Sequence, residues 1–193
     1  MLKFRIQSTP NPGARKYILS EDVKLEGRVS YRDPNECLHV PLAYSLLNIA
    51  AVRQVHFFQN VITLTQDGSQ PWTELDLIVQ KLIRESIGDH DPSFIESLVE
   101  TKKPATHTKE DSEALQKIDK ILDQSIRPHL QMDGGDIELV SLEKNILSLR
   151  YLGACGGCPS SMTGTLAAIR STLQERYQED LEVLFHSLYS FLL

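Results

Sequence analysis

At the start of the chain Phe4 and Ile6 lie two apart among polar neighbours, an alternation that predicts a strand ending before Thr9-Pro10-Asn11-Pro12-Gly13. Tyr17-Ile18-Leu19 and Arg28-Val29-Ser30-Tyr31 read as two further strands. Leu42, Leu46 and Ile49 then recur at helical spacing. Val55-His56-Phe57-Phe58 and Val61-Ile62-Thr63-Leu64-Thr65, joined by Gln59-Asn60, have the composition of a hairpin. From Trp72 onward, Leu75, Ile78, Val79, Leu82 and Ile83 form a stripe of period 3.6, so a long amphipathic helix closes this half. The pattern predicts a two-layer α/β module.

Gly88-Asp89-His90-Asp91-Pro92 breaks that helix, and Thr101 to Lys109 is polar and nearly featureless, which is linker chemistry. Between the two, Phe94, Ile95, Leu98 and Val99 have the spacing of one short helix. Beyond the linker, Leu115, Ile118, Ile121, Leu122 and Ile126 share one helix face, and Pro128 is expected to end that helix or sit in its last turn. Asp133-Gly134-Gly135-Asp136 turns the chain into a strand at Ile137–Val140, and Ile146–Leu152 supplies the next one. Met162, Leu166, Ile169 and Leu173 are spaced as a buried helix stripe, and Leu181–Phe185 is expected to add an edge strand. The fold class is therefore α/β (α+β): two small two-layer domains, 1–88 and 111–193, joined by a linker at 89–110.

Composition narrows the function classes. Of 193 residues, 41% are hydrophobic, ordinary for a globular chain, and the net charge is −6. Residues 1–100 and 101–193 each carry 10 basic and 13 acidic side chains, so no basic half exists and nucleic acid is not the expected partner. No apolar run approaches the roughly 18 residues that span a membrane. The N-terminus shows neither a signal nor a transit peptide, and a bacterial-type cytoplasm is the expected compartment, with a processed mitochondrial matrix form looking the same. Three cysteines, with one close pair, do not make a disulfide framework and point to a reducing compartment.

The chemistry concentrates in Gly153-Ala154-Cys155-Gly156-Gly157-Cys158-Pro159-Ser160-Ser161. The glycines allow positive φ and let several backbone N–H groups converge, while Pro159 suits the first turn of a helix. Cys158 would then sit near a helix N-terminus, where thiolate is favoured over thiol. The expected result is a small, exposed, anion-friendly platform with two soft ligands. Three readings compete: half of an iron–sulfur or zinc site completed by another molecule, a dithiol/disulfide oxidoreductase, or an inert turn. Two thiolates cannot close a four-coordinate site, and His129 and His186 lie far off in sequence. A thioredoxin-like pair normally follows the first strand of a larger fold, not a late two-stranded segment. The shared site fits best, and zinc held across a dimer, with the N-terminal half carrying the function, is a further option.

Residues 111–185 resemble the C-terminal domain of the NifU-like (Nfu) iron–sulfur proteins. The resemblance rests on Arg127-Pro128, Asp133-Gly134-Gly135-Asp136, the cysteine block and Thr165-Leu166. Residues 1–87 resemble the N-terminal domain often fused to it, through Thr9-Pro10-Asn11-Pro12, Pro41-Leu42-Ala43, Phe57, Ile62-Thr63-Leu64-Thr65 and Trp72. The resemblance implies a non-enzymatic carrier. Cys155 and Cys158 of two protomers would hold one 4Fe–4S cluster per dimer, 2Fe–2S being the other four-thiolate choice. An upstream scaffold would supply the cluster, and apo iron–sulfur proteins would receive it.

Other residues have plainer readings. Cys37, outside the motif, is expected to be a structural thiol. Asp133 and Asp136 shape and cap a turn, Ser160 and Ser161 satisfy helix N–H groups, and Trp72 belongs to the core. Thr9-Pro10-Asn11-Pro12 is a rigid turn, and the apolar ending His186–Leu193 is expected to cover a sheet edge or core gap.

Overall fold

The alternating runs of the first half do form strands, and all of them pair antiparallel. A computed structural model describes residues 2–95, 109–157 and 159–185, with only the backbone described at 109–112, 156–157 and 159–163. The chain divides into two compact units, residues 1–99 and 100–193, each with its own core.

In the first unit β1 (Phe4–Ser8), β2 (Ala14–Leu19), β3 (Lys24–Tyr31), β4 (Val52–Gln59) and β5 (Val61–Gln66) form one sheet in the order β1-β2-β5-β4-β3. Register places Ile6 beside Tyr17, Tyr17 beside Ile62, Ile62 beside Phe57 and Phe57 beside Val29, a continuous apolar row across the sheet. Helices α1 (Pro41–Leu47) and α2 (Trp72–Ser86) contribute Leu42, Leu46, Leu75, Val79 and Ile83 to the same core. Each such side chain contributes about 1.5–3 kcal/mol through burial. The predicted α2 stripe is narrower than its spacing implied. Ile78 is exposed, and Trp72 is only partly buried, its indole N–H donating to the Pro12 carbonyl at 2.9 Å. That bond fastens the Thr9–Gly13 turn to α2, while the Thr9 hydroxyl donates to the Asn11 carbonyl at 2.8 Å.

The segment drawn as linker from residue 89 begins as part of this unit. The Leu25 N–H donates to the Pro92 carbonyl at 2.9 Å, and His90 Nε2 lies 2.7 Å from the Val23 carbonyl. Lys24 Nζ donates to the Phe94 carbonyl at 2.9 Å. Phe94 is buried edge-on to Phe57 and is not helical, contrary to the short helix its spacing suggested. Leu98 and Val99, with the polar stretch 96–108, lie outside the described residues.

The second unit opens with α3 (Lys109–Ser125), whose Ile118 and Leu122 are fully buried. Pro128 does not sit in the last turn of α3. It stands in the first turn of a separate helix, α4 (Arg127–Met132), where its missing N–H has no partner to lose. Strands β6 (Gly135–Glu143) and β7 (Ile146–Gly153) pair antiparallel, and β8 (Glu182–Phe185) adds parallel to β7, giving the order β6-β7-β8. The connection from β7 to β8 runs through α5 (Pro159–Arg176), whose Ile169 and Leu173 are buried with Leu147, Leu149 and Val183. No helix among the described residues is long and apolar enough to cross a membrane. The apolar ending 186–193 lies outside the described residues.

Candidate functional site

Two glycines bring the chain to the first cysteine. Gly153, at the end of β7, takes φ +58° and pairs in register with Gly135 at the start of β6. The Ala154 N–H donates to the Gly134 carbonyl at 3.0 Å, and a 3-10 turn follows over Ala154–Gly157. Gly134 itself has φ +79°, a conformation that closes α4 and that a β-carbon would strain.

Cys155 sits in that turn, and its side chain points inward. It is only 4% exposed and belongs to the core of the second unit, which corrects the exposed platform expected from sequence. Its sulfur occupies the space a side chain at Gly135 would need. A β-carbon there would lie 2.1 Å from Cys155 Sγ and 2.9 Å from its Cβ and backbone nitrogen. Gly135 is thus required as the seat of the sulfur, a role beyond the turn that the sequence suggested. Cys158, the second predicted ligand, lies outside the described residues, as do the side chains of Ser160, Ser161 and Met162. Helix α5 starts at Pro159, the position expected for that proline.

Beside this seat lies a group of charges that includes Asp136, which the sequence reading assigned to shaping and capping a turn and which is instead wholly buried against Arg127. Arg127 is 1% exposed, and its guanidinium donates to Asp123 Oδ1 at 2.5 Å and Asp119 Oδ1 at 2.6 Å. Its Nε stands 3.3 Å from Asp136 Oδ1, and Asp136 is wholly buried. Gln131 Nε2 donates to Asp136 Oδ2 at 3.0 Å, and the Ile137 N–H donates to Asp136 Oδ1 at 2.7 Å. Burial works against the Arg127 charge, but the hydrogen bonds and charges of Asp119 and Asp123, with Asp136, outweigh it and raise the pKa above the ordinary arginine value. A signal existed in the sequence. Asp119, Asp123 and Arg127 are spaced four apart, alongside the apolar stripe of Ile118, Leu122 and Ile126.

Tyr151 completes the surroundings. Its ring stacks on Phe185 with centroids 3.8 Å apart, and burial, followed by the charge of Cys155, pushes its hydroxyl above the usual tyrosine range. The third cysteine is elsewhere. Cys37 is fully buried in the core of the first unit, with its thiol 3.5 Å from the Pro34 carbonyl. Burial, then the charges of Glu36 and Asp33, push it up to about 11, so it stays a thiol and agrees with the structural role expected of it. Among the described residues no three His, Cys, Asp or Glu side chains are grouped to hold a metal. His129 is one exposed helix residue.

Residues 118–184, which contain both Cys155 and Cys158, match the model of the NifU-like domain. Residues 4–90 match that of the scaffold protein Nfu/NifU N terminal domain. The chain belongs to the NifU-like family. Among its relatives, NifU-like protein 4, mitochondrial, of Arabidopsis thaliana is 31% identical over 91% of this chain and 63% of that protein. The human NFU1 iron-sulfur cluster scaffold homolog, mitochondrial, is 31% identical over 89% of this chain and 66% of that protein. The chain thus spans somewhat less than two thirds of either relative. A solved NifU-like protein from Saccharomyces cerevisiae is 17% identical, covering 50% of this chain and 87% of that one with a TM-score of 0.44.

Proposed function

We propose that this NifU-like chain carries an iron–sulfur cluster as cargo, receiving it from an upstream scaffold and passing it to apo-proteins without catalysing a reaction of its own. The observation that carries the proposal is the placement of Cys155. It stands within the matched NifU-like segment, with its sulfur against a glycine backbone at the end of a strand. Backbone packed this closely around sulfur is a means of tuning a cluster, through N–H groups and local dielectric.

Ligand arithmetic then favours two chains. Cys37 is a buried thiol of the first core, so one chain offers at most Cys155 and Cys158. Four thiolates from two protomers would hold one 4Fe–4S cluster, 2Fe–2S being the alternative with the same ligand count. A cluster held between two copies is released as they part. Transfer proceeds by exchange, an incoming thiolate of the target replacing one carrier thiolate at a time. In this reading residues 111–193 hold the cargo, and the N-terminal domain recognises donors or targets. The compartment is a reducing one, a bacterial cytoplasm or the mitochondrial matrix that the relatives' names suggest. Burial of Cys155 suits a ligand better than the attacking thiolate of an oxidoreductase, which needs access.

The test is to replace Cys155 and Cys158 singly with Ser and reconstitute each chain anaerobically with iron, sulfide and a thiol reductant. Loss of bound iron and of the brown visible absorbance in both variants, with far-UV circular dichroism unchanged, supports the proposal. A variant that still holds a full cluster removes it.

A further inference from the structure

Burying Arg127 and Asp136 is costly, although Asp119 and Asp123 stay in contact with solvent. Replacing a buried ion group with apolar side chains of similar volume is often neutral or stabilising, so stability alone does not account for the arrangement. Its geometry offers another account. Asp136 directly follows Gly135, the residue on which Cys155 Sγ rests. The Asp136 carboxylate is held from three directions: by Arg127 at 3.3 Å, by Gln131 at 3.0 Å and by the Ile137 N–H at 2.7 Å. Two of those groups belong to α4, and the bonds from Arg127 to Asp119 and Asp123 fasten α4 to α3. Arg127 also reaches across to the Ile137 carbonyl at 3.4 Å. The first residues of β6 are therefore tied to α4 by the hydrogen bonds from Gln131 to Asp136 and from Arg127 to the Ile137 carbonyl, and by the Arg127–Asp136 ion pair.

We propose that Arg127, Gln131 and Asp136 are positioning residues for Cys155. They hold the Gly135 backbone under the sulfur and so fix the direction from which the thiolate meets its cargo. The cargo half of this inference rests on the carrier reading above, and the seat half does not. Residues that orient a metal-binding side chain from behind typically change affinity by about 10–100-fold when altered, and that is the effect expected here.

Asp136→Asn keeps shape and removes the charge. Gln131→Ala removes one of the two hydrogen bonds to the Asp136 carboxylate, from a half-buried residue, and carries little risk to folding. Three readouts apply to each full-length variant. The first is the rate of iodoacetamide alkylation of Cys155 in the reduced, metal-free chain, with peptide mapping to separate it from Cys37 and Cys158. The second is the rate at which a chelator bleaches the reconstituted chain. The third is amide hydrogen exchange at Leu147 and Leu149 of β7, which reports opening of the whole unit. Both alkylation and bleaching should accelerate, by about tenfold in Asp136→Asn and less in Gln131→Ala, and in each variant by more than β7 exchange does, β7 exchange staying at the wild-type rate in Gln131→Ala. Unchanged alkylation in both variants overturns the proposal. Acceleration matched by β7 exchange also overturns it, since the network would then serve the fold alone. A wild-type chain that takes up no iron and sulfide defeats the carrier reading, and the alkylation arm still decides the seat.

Discussion

Adding one methyl group at Gly135 tests the seat of Cys155 most simply. In Gly135→Ala the new carbon would lie 2.1 Å from Cys155 Sγ, against an ordinary non-bonded separation of about 3.5–4 Å between heavy atoms. A rotamer change could move the sulfur away. The Cys155 Cβ and backbone nitrogen, each 2.9 Å from the added carbon, do not leave by side-chain rotation. The backbone of the Ala154–Gly157 turn must shift as well, and overpacking of this kind costs about 1–3 kcal/mol. Trp72, the one tryptophan, lies in the first unit, so its fluorescence is blind to the loss. Urea denaturation followed by hydrogen exchange of β7 amides reads the second unit directly. Gly164→Ala serves as the control: an added carbon there meets nothing within 4 Å, and the residue lies in α5, so it should stabilise by about 0.5–1 kcal/mol. Gly135→Ala as stable as wild type, with Cys155 alkylated at the wild-type rate, would refute the close packing of Cys155 on Gly135.

Three further outcomes follow from buried polar groups. Arg127→Met leaves Asp136 buried without its cation and should cost the second unit about 3–5 kcal/mol in urea denaturation; a loss below 1 kcal/mol would contradict the network. His56 is buried with Nδ1 2.8 Å from Ser30 Oγ, and burial, then the Arg28 charge, lowers its pKa to about 4. An unfolded histidine binds its proton near pH 6.5, so stability held above that pH is lost as pH falls toward 4, on the order of 3 kcal/mol. The pH slope of the first unit should flatten in His56→Asn, and an unchanged slope would count against neutral burial. Finally, Cys37 should resist alkylation in the folded chain at mildly alkaline pH and react only after denaturation, because it is buried with its thiol pushed up to about 11.

Much of the architecture was legible because short-range pattern and burial agree. Phe57 and Ile62 face each other as the hairpin composition implied, and Ile169 and Leu173 occupy the buried face their spacing predicted. Misreadings arose where a long-range contact decided the outcome. Phe94 reads as a helix residue by spacing, yet it is fixed by Phe57 and Lys24, residues far earlier in the chain. Ile78 fits the apolar stripe but stands at its exposed margin. At the site, the cysteine motif was visible and its burial was not, since Gly135 and Cys155 are twenty positions apart. Arg127 and Asp136 were read as motif letters because nothing local distinguishes a buried charge from a solvated one. Their spacing to Asp119 and Asp123 becomes meaningful only once α4 folds back beside α3.

In the proposed carrier, two copies of this chain share one cluster through Cys155 and Cys158. Anaerobic native mass spectrometry of the wild-type chain, after incubation with iron, sulfide and a thiol reductant, weighs that species. A dimer carrying one four-iron, four-sulfide unit is the predicted result, and its absence from Cys155→Ser would tie the mass to the site. A monomer with no added mass that merely interconverts between dithiol and disulfide would contradict the claim and make this NifU-like chain an oxidoreductase.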